Sequence, residues 1–257
     1  GATVIVHGRS REKADAVVAE IQAQGKGQAR AAIADLCTQA DIREMAAQIN
    51  AHTDRLDVLV NNAGAMYSKR TESPDGIELT WALNHLNYFL LTHLLLDLLT
   101  ASAPARIVNV ASEASRGGKL DFDDLQKRKR YSGFAVYAQS KLANIVFTYE
   151  LARRLTERGA GVTANVMHPG FVGTGFARNN GGIMDLAMGL MRPFILSPEQ
   201  GADTLVWLAS SPELEGKTGG YYAKRKPLQS IAQAYDPAVQ RRLWEVSEQM
   251  TGIAVPA

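Results

Sequence analysis

A doubly wound parallel α/β sheet in a single domain of 257 residues is the architecture this chain predicts. Two patterns carry the prediction. Stretches of helical period alternate along the chain with short runs rich in β-branched residues. Most of those runs are continuously apolar, the mark of strands covered on both faces. A third observation concerns function: residues out of place in a core gather where these runs end, and open α/β sheets bind their ligands there. They are Arg9, Asp35, residues 61–64, Ser112 and residues 169–174.

Taken in order, residues 2–7 (Ala-Thr-Val-Ile-Val-His) read as a buried strand. Gly8-Arg9-Ser10 turns the chain, and Ser10 is placed to cap a helix that ends at Gly25. Residues 29–34 form a second strand ending at Asp35-Leu36. Residues 38–52 set Ile42, Met45, Ala46 and Ile49 on one face of a helix. A third strand over 56–60 ends in Asn61-Asn62-Ala63-Gly64, and a long helix over 74–101 follows. The strand 106–110 runs out into Ser112, then a polar loop, then a helix opening at Tyr137 and running to 157. Residues 162–167 are a strand closed by His168-Pro169-Gly170. Residues 171–196 show no clean period. A helix over 198–209, a short strand over 219–223 and one or two short helices in the tail complete the chain.

Composition narrows the class. Hydrophobic residues make up 46%, enough for a sizeable core, and a net charge of +2 gives no reason to expect nucleic acid. A single cysteine, Cys37, excludes an internal disulfide and fits a reducing compartment, so a cytoplasmic location is expected. No membrane span is expected: the longest apolar stretch, 88–99, is interrupted by Thr92, His93 and Asp97. The start of the chain shows no signal-peptide pattern. The five histidines (7, 52, 85, 93 and 168) share no ligand spacing, so they read as structural or exposed and no metal is expected.

The chemistry concentrates in 112–141. Tyr137 and Lys141 stand four apart, one above the other on a helix face. A free phenol, with a pKa of about 10, is a poor acid-base group at neutral pH, and a neighbouring ammonium is expected to bring it down. Ser112, at a strand end, can hydrogen-bond the same reacting oxygen. Together they make a proton-transfer site for an alcohol or a carbonyl. The plain readings are a core tyrosine and a strand-end cap.

At this point the chain resembles the short-chain dehydrogenase/reductase family, which implies a Rossmann-like fold. The resemblance rests on Asn-Asn-Ala-Gly at 61–64, the Asn84-His85-Leu86 segment, Ser112, Tyr137 with Lys141, and Pro169-Gly170, in the family's order and spacing. The long loop before Tyr137 and Ser140-Lys141-Leu142-Ala143-Asn144 are similar to its retinol-dehydrogenase-like branch. What the resemblance implies is specific. Tyr137 would be the acid-base residue, Ser112 would polarise the carbonyl, and Lys141 would hold the nicotinamide ribose. Asn84 would hold a water linking Lys141 to solvent. Arg9 and Ser10 would face the adenosine ribose, where an Arg favours NADP over NAD. Asp35 and the Leu36 backbone would hold the adenine. Asn61, Ala63, Gly64, Pro169 and Gly170 would line the cofactor, with Val172 and Thr174 at its carboxamide.

The substrate side falls on 171–196, where Phe171, Phe176 and Met184 stand among other apolar residues and several glycines. That mixture suits an adaptable pocket for a lipophilic alcohol, aldehyde or ketone. The basic run 127–130 reads as a solvated face. Homodimers or homotetramers through the helices 74–101 and 137–157 are the family expectation. One departure is large: nothing matches the family's opening strand and glycine-rich phosphate loop. The domain, residues 1–257, therefore reads as N-terminally incomplete, lacking about 25–30 residues upstream by typical element lengths. Such a segment could also carry a membrane anchor. Two rivals remain: a nucleotide-binding scaffold or sensor without turnover, and an epimerase or dehydratase on the same fold.

Overall fold

The computed structural model describes residues 1–170 and 196–253. The strand β1 (Thr3–Gly8) leads through the helix α1 (Arg11–Ala23) into β2 (Gln28–Ile33), which pairs parallel to β1 from Thr3↔Gln28 to Gly8↔Ile33. Ser10 caps α1 as expected, its side chain accepting from the Lys13 N–H. Then come α2 (Gln39–His52), β3 (Val58–Asn61), β4 (Ala105–Val110), the helix α6 (Gly133–Glu157) and β5 (Val162–Met167). Beyond the undescribed stretch lie α7 (Pro198–Ser210), the strands β6 (Tyr221–Ala223) and β7 (Lys226–Pro227), and the helices α8 (Ala232–Tyr235) and α9 (Pro237–Thr251). A sheet in the order β3-β4-β5-β6-β7 results, parallel except for the β6–β7 hairpin. The parallel α/β fold is the one the alternation of patterns predicted.

Two expectations need correction. The first strand is not buried. Among the described residues β1 pairs only with β2, and β3 only with β4, so the sheet is in two pieces whose facing edges carry no ladder. Val4 on β1 is 39% exposed and Val60 on β3 is 38% exposed, because each strand lacks a neighbour on one side. The two pieces still share one core, in which Ala32, Leu36, Ile42 and Met45 pack with residues of the helix Asn87–Leu94 and of α6.

The second correction concerns the helix over 74–101. It is really α3 (Leu79–Trp81), a π-helical turn (Ala82–Leu86), α4 (Asn87–Leu94) and α5 (Leu96–Ala101). A π turn inserts one residue into the helical ladder and so redirects one backbone and side-chain position. Here that position falls around Asn84. The tail also differs, since α9 is a full helix that lies across α6 and reaches the π turn. Its Trp244 packs edge-on to Phe89, with ring centroids 5.2 Å apart, and lies 5.9 Å from Phe147, while its Ser247 meets His85 Nε2 at 2.9 Å. These contacts cover the outer faces of α4 and α6. Among the described residues no helix is long and apolar enough to cross a membrane.

Candidate active site

The site is assembled around a backbone atom, the carbonyl oxygen of Val110 at the end of β4. Lys141 Nζ donates to it at 2.9 Å, while Asn144 Nδ2 and the Tyr88 hydroxyl approach at 3.4 Å each. β4 delivers this carbonyl because it is a central strand, paired with β3 on one side and β5 on the other. α6 delivers Lys141 and Asn144 because its second to fourth turns are buried on nearly every side. The helix starts earlier than expected, at Gly133, where a side chain would run into the Tyr67 carbonyl. Tyr137 therefore sits in the second turn, fixed by the Ser132 cap below it, whose hydroxyl accepts from the Ala135 N–H.

Tyr137 and Ser112 do meet: the Ser112 side chain lies close enough to the phenol to bear on its titration. Ser112 also caps the short 3₁₀ turn Glu113–Gly117, accepting from the Ala114 N–H at 3.3 Å. The electrostatics differ from the expectation. Burial raises the Tyr137 pKa above its ordinary value, with the nearby Ser112 side chain opposing more weakly. Burial likewise pushes the Lys141 ammonium down to about 7. The expected depression of the phenol fails because the cation is itself desolvated and its Nζ lies 6.0 Å from the Tyr137 ring centre, turned to the Val110 carbonyl. A phenol with a raised pKa is protonated at neutral pH, the form that can give a proton to a carbonyl oxygen.

Asn84 is fully buried, so it is no surface amide. Its Nδ2 donates to the Ala65 carbonyl at 2.9 Å and to Ser140 Oγ at 3.0 Å, and its Oδ1 accepts from the Ala65 N–H at 2.9 Å. Its own carbonyl accepts from Asn144 Nδ2 at 2.9 Å, a bond the π turn makes reachable. Gly64 completes this corner. A Cβ there would stand 3.0 Å from Asn84 Oδ1 and 3.2 Å from Lys141 Nζ, so a side chain fits only if one of them gives by a few tenths of an ångström. That cradle is the structural reason the residues present fit the ribose-nicotinamide half of a dinucleotide. No glycine-rich loop for its diphosphate occurs among the described residues.

The remaining candidates divide. Arg9 is exposed just beyond β1, and its charge is felt at His7, Cys37 and Tyr67, which places it at the carboxyl end of the sheet. Asp35 Oδ1 accepts from the Cys37 N–H at 3.0 Å, and Leu36 is buried. Asn61 turns inward, its Nδ2 donating to Asn109 Oδ1 at 2.8 Å and Thr92 Oγ1 at 3.0 Å, so its side chain braces the strands beneath the site. Ala63, Pro169 and Gly170 are half-buried at strand ends. Phe171, Val172, Thr174, Phe176 and Met184 lie outside the described residues. An open groove of about 490 Å³, lined by Tyr149, Arg153, Thr218 and Tyr235 among others, opens about three turns further along α6 and is separate from Tyr137.

Sequence reasoning missed Tyr88 and Glu113, and it passed over His168, which bridges to Glu113 at 3.0 Å. Tyr88 shares a helical segment with Asn84, and that spacing was its available signal. Among the described residues no cluster of His, Cys, Asp or Glu is arranged to hold a metal.

A parallel sheet that gathers a buried tyrosine and lysine and a half-buried serine beyond its strand ends defines a nicotinamide-dependent oxidoreductase. A family model described as short chain dehydrogenase matches residues 1–182, and the chain belongs to that family. It is 40% identical to mouse (Mus musculus) retinol dehydrogenase 14 over 98% of its own length and 79% of the relative's. Among solved structures, an uncharacterized protein from Mycobacterium paratuberculosis superposes with a TM-score of 0.79 at 32% identity, covering 100% of this chain and 87% of that one. A short chain dehydrogenase from Burkholderia cenocepacia J2315 in complex with NADP superposes with a TM-score of 0.65 at 27% identity, covering 86% and 85%.

Proposed function

We propose that this chain interconverts a hydroxyl and a carbonyl on a lipophilic small molecule, with NADP preferred over NAD. The observation that carries the reading is the buried Tyr137 phenol, with the Ser112 side chain bearing on it and Lys141 one helical turn away. In the reducing direction the Tyr137 hydroxyl gives its proton to the carbonyl oxygen, while the Ser112 hydroxyl orients and polarises that oxygen. Tyr137 acts from a largely buried position, where such contacts count for more. Bound NADP(H) supplies the hydride. Lys141 holds the ribose hydroxyls, and Asn84 Oδ1, with one lone pair left, accepts from a water that returns the proton. In the oxidising direction the same groups run in reverse.

NADP preference is supported by Arg9, an exposed guanidinium at the carboxyl end of β1 with no acid before Glu12, and by the NADP complex of the Burkholderia relative. A lipophilic alcohol, aldehyde or ketone is supported by the naming of the mouse relative as a retinol dehydrogenase and by the apolar composition of 171–196. Pro169, Gly170, Val172 and Thr174 serve the cofactor, and Phe171, Phe176 and Met184 the substrate. A cytoplasmic location is part of the reading, supported by one buried cysteine, Cys37, whose thiol burial pushes up to about 12. Assembly as a homodimer or homotetramer through the helices over 74–101 and 137–157 is part of the reading. The test is a fluorescence titration with NADPH and NADH, followed by a panel of lipophilic carbonyls. NADPH binding far tighter than NADH, with turnover of at least one carbonyl, is expected. NADPH binding without turnover on any member of the panel would favour the scaffold instead.

A further inference from the structure

We propose that His168 is a positioning residue that, in its neutral Nε2–H form, locks the Pro169-Gly170 turn to Glu113. It thereby ties the nicotinamide side of the site to the Ser112 side. The argument begins with the two ring nitrogens. The Gly170 N–H donates to His168 Nδ1 at 3.2 Å, so Nδ1 is an acceptor and bears no proton. Nε2 lies 3.0 Å from Glu113 Oε2, and a carboxylate only accepts, so Nε2 carries the hydrogen. With both partners fixed, one tautomer of neutral imidazole satisfies the site.

The placement gives this lock a role. Glu113 is the residue after Ser112 and opens the 3₁₀ turn that Ser112 caps. His168 follows the last residue of β5, and its backbone N–H donates to the Tyr222 carbonyl at 3.1 Å, which holds it in the sheet. Gly170 has φ +79, a left-handed conformation, and a Cβ on it would come within 2.9 Å of Leu196 Cδ1. Val172 and Thr174, the proposed carboxamide contacts, follow this turn in the chain, and among the described residues His168 ties the turn by a side-chain hydrogen bond. This inference rests on the oxidoreductase reading above for what lies beyond the turn.

Protonation undoes the lock. A proton on Nδ1 turns an acceptor into a donor pointed at the Gly170 N–H, and that bond is lost. Four groups and burial bear on the equilibrium. Glu113 favours the proton; burial, Arg116 and Lys224 oppose it; and the Tyr221 ring packs 5.8 Å away. Burial dominates, so the His168 pKa is lowered. The locked form accordingly persists at neutral pH and is lost as pH falls through that lowered value.

The test combines histidine ¹⁵N NMR on the intact protein with NADPH KM and kcat between about pH 5 and 8. Expected are an Nε2–H signature for His168 and a Gly170 amide shift titrating with the same midpoint. The NADPH KM should rise about fivefold below that midpoint, the weight of one neutral hydrogen bond, with kcat changing less. His168→Asn keeps a short acceptor for the Gly170 N–H without a titrating proton, so its KM profile should be flat in acid. Glu113→Gln should move the midpoint down and Arg116→Gln should move it up. An Nδ1–H signature, or a His168→Asn profile superimposable on the parent's, would overturn the proposal. An Nε2–H signature with no NADPH binding at any pH would instead overturn the oxidoreductase reading, and with it the coupling.

Discussion

Replacing Lys141 by methionine should make the protein more stable while removing its chemistry. Lys141 is 3% exposed, and burial lowers its pKa from 10.5 to about 7. At about 1.4 kcal/mol per pH unit, that gap sets on the order of 5 kcal/mol against the fold wherever the folded-state amine is charged. Methionine fills a similar volume with no charge. It loses the 2.9 Å bond to the Val110 carbonyl, a loss of about 1–2 kcal/mol, though Asn144 and Tyr88 remain near that oxygen. The net expectation at pH 6 is a gain of about 3 kcal/mol. The sign follows from linkage. The folded pKa lies below the unfolded one, so the parent gains stability as pH rises from about 7 towards 10.5. The variant does not, so its advantage shrinks over that window. Urea unfolding of both proteins at pH 6 and pH 9.5, with NADPH binding and turnover in parallel, reads each part. A Lys141→Met protein less stable than the parent at pH 6, or an advantage equal at both pH values, would refute the electrostatic argument. Unchanged NADPH affinity would refute the ribose role.

Tyr137→Phe should cut kcat by about 10²–10⁴-fold with NADPH affinity nearly intact, and a parental kcat in steady-state assays would exclude it as the acid. Arg9→Ala should weaken NADPH binding far more than NADH binding; equal losses in a fluorescence titration would make Arg9 a structural turn residue. Gly64→Ala should lower kcat and raise the NADPH KM, because its methyl would force Asn84 or Lys141 from place at a cost of about 1–3 kcal/mol. A crystal structure of that variant with Lys141 unmoved would contradict this. His85 is fully buried, its pKa lowered to about 4 by burial, so it contributes stability that is full above about 6.5 and is lost as pH falls towards 4. His85→Gln should flatten that acid limb in urea titrations; an unchanged limb would assign it to other groups.

The residues legible in the sequence were those marked by side-chain type and position, one at a strand end and two at helical spacing. Ser112, Tyr137 and Lys141 announce themselves by type and spacing, and the structure brings all three together at the end of β4. The hub itself was not legible, because the Val110 carbonyl is a backbone atom that any residue would supply. Nor was the π turn, since Ala82 to Leu86 reads as ordinary helix in period and propensity. Exposure of β1 was missed for a related reason: an apolar run shows what a strand would bury, while its neighbours decide what it does bury. The Tyr137 pKa went the opposite way because spacing reports the proximity of a cation, and burial, a property of the whole core, decides the balance. His168 looked like one more histidine until its ring nitrogens had partners.

The last helix closes the molecule in time as well as in space. Two carbonyls at the end of α9 accept from α2: Gln39 Nε2 donates to Met250 at 2.8 Å and Arg43 to Thr251 at 2.6 Å, across separations of 211 and 208 residues. A nascent chain emerges from its N-terminus, so α2 must wait for nearly all that follows before these bonds can form. The cost of closing so long a loop falls before any reward from packing arrives. Until α9 docks, the buried faces of α4 and α6 stand open. A chain stopped short of α9 would present them to chaperones and proteases, which makes completion of the last helix a natural checkpoint on whether this oxidoreductase accumulates at all.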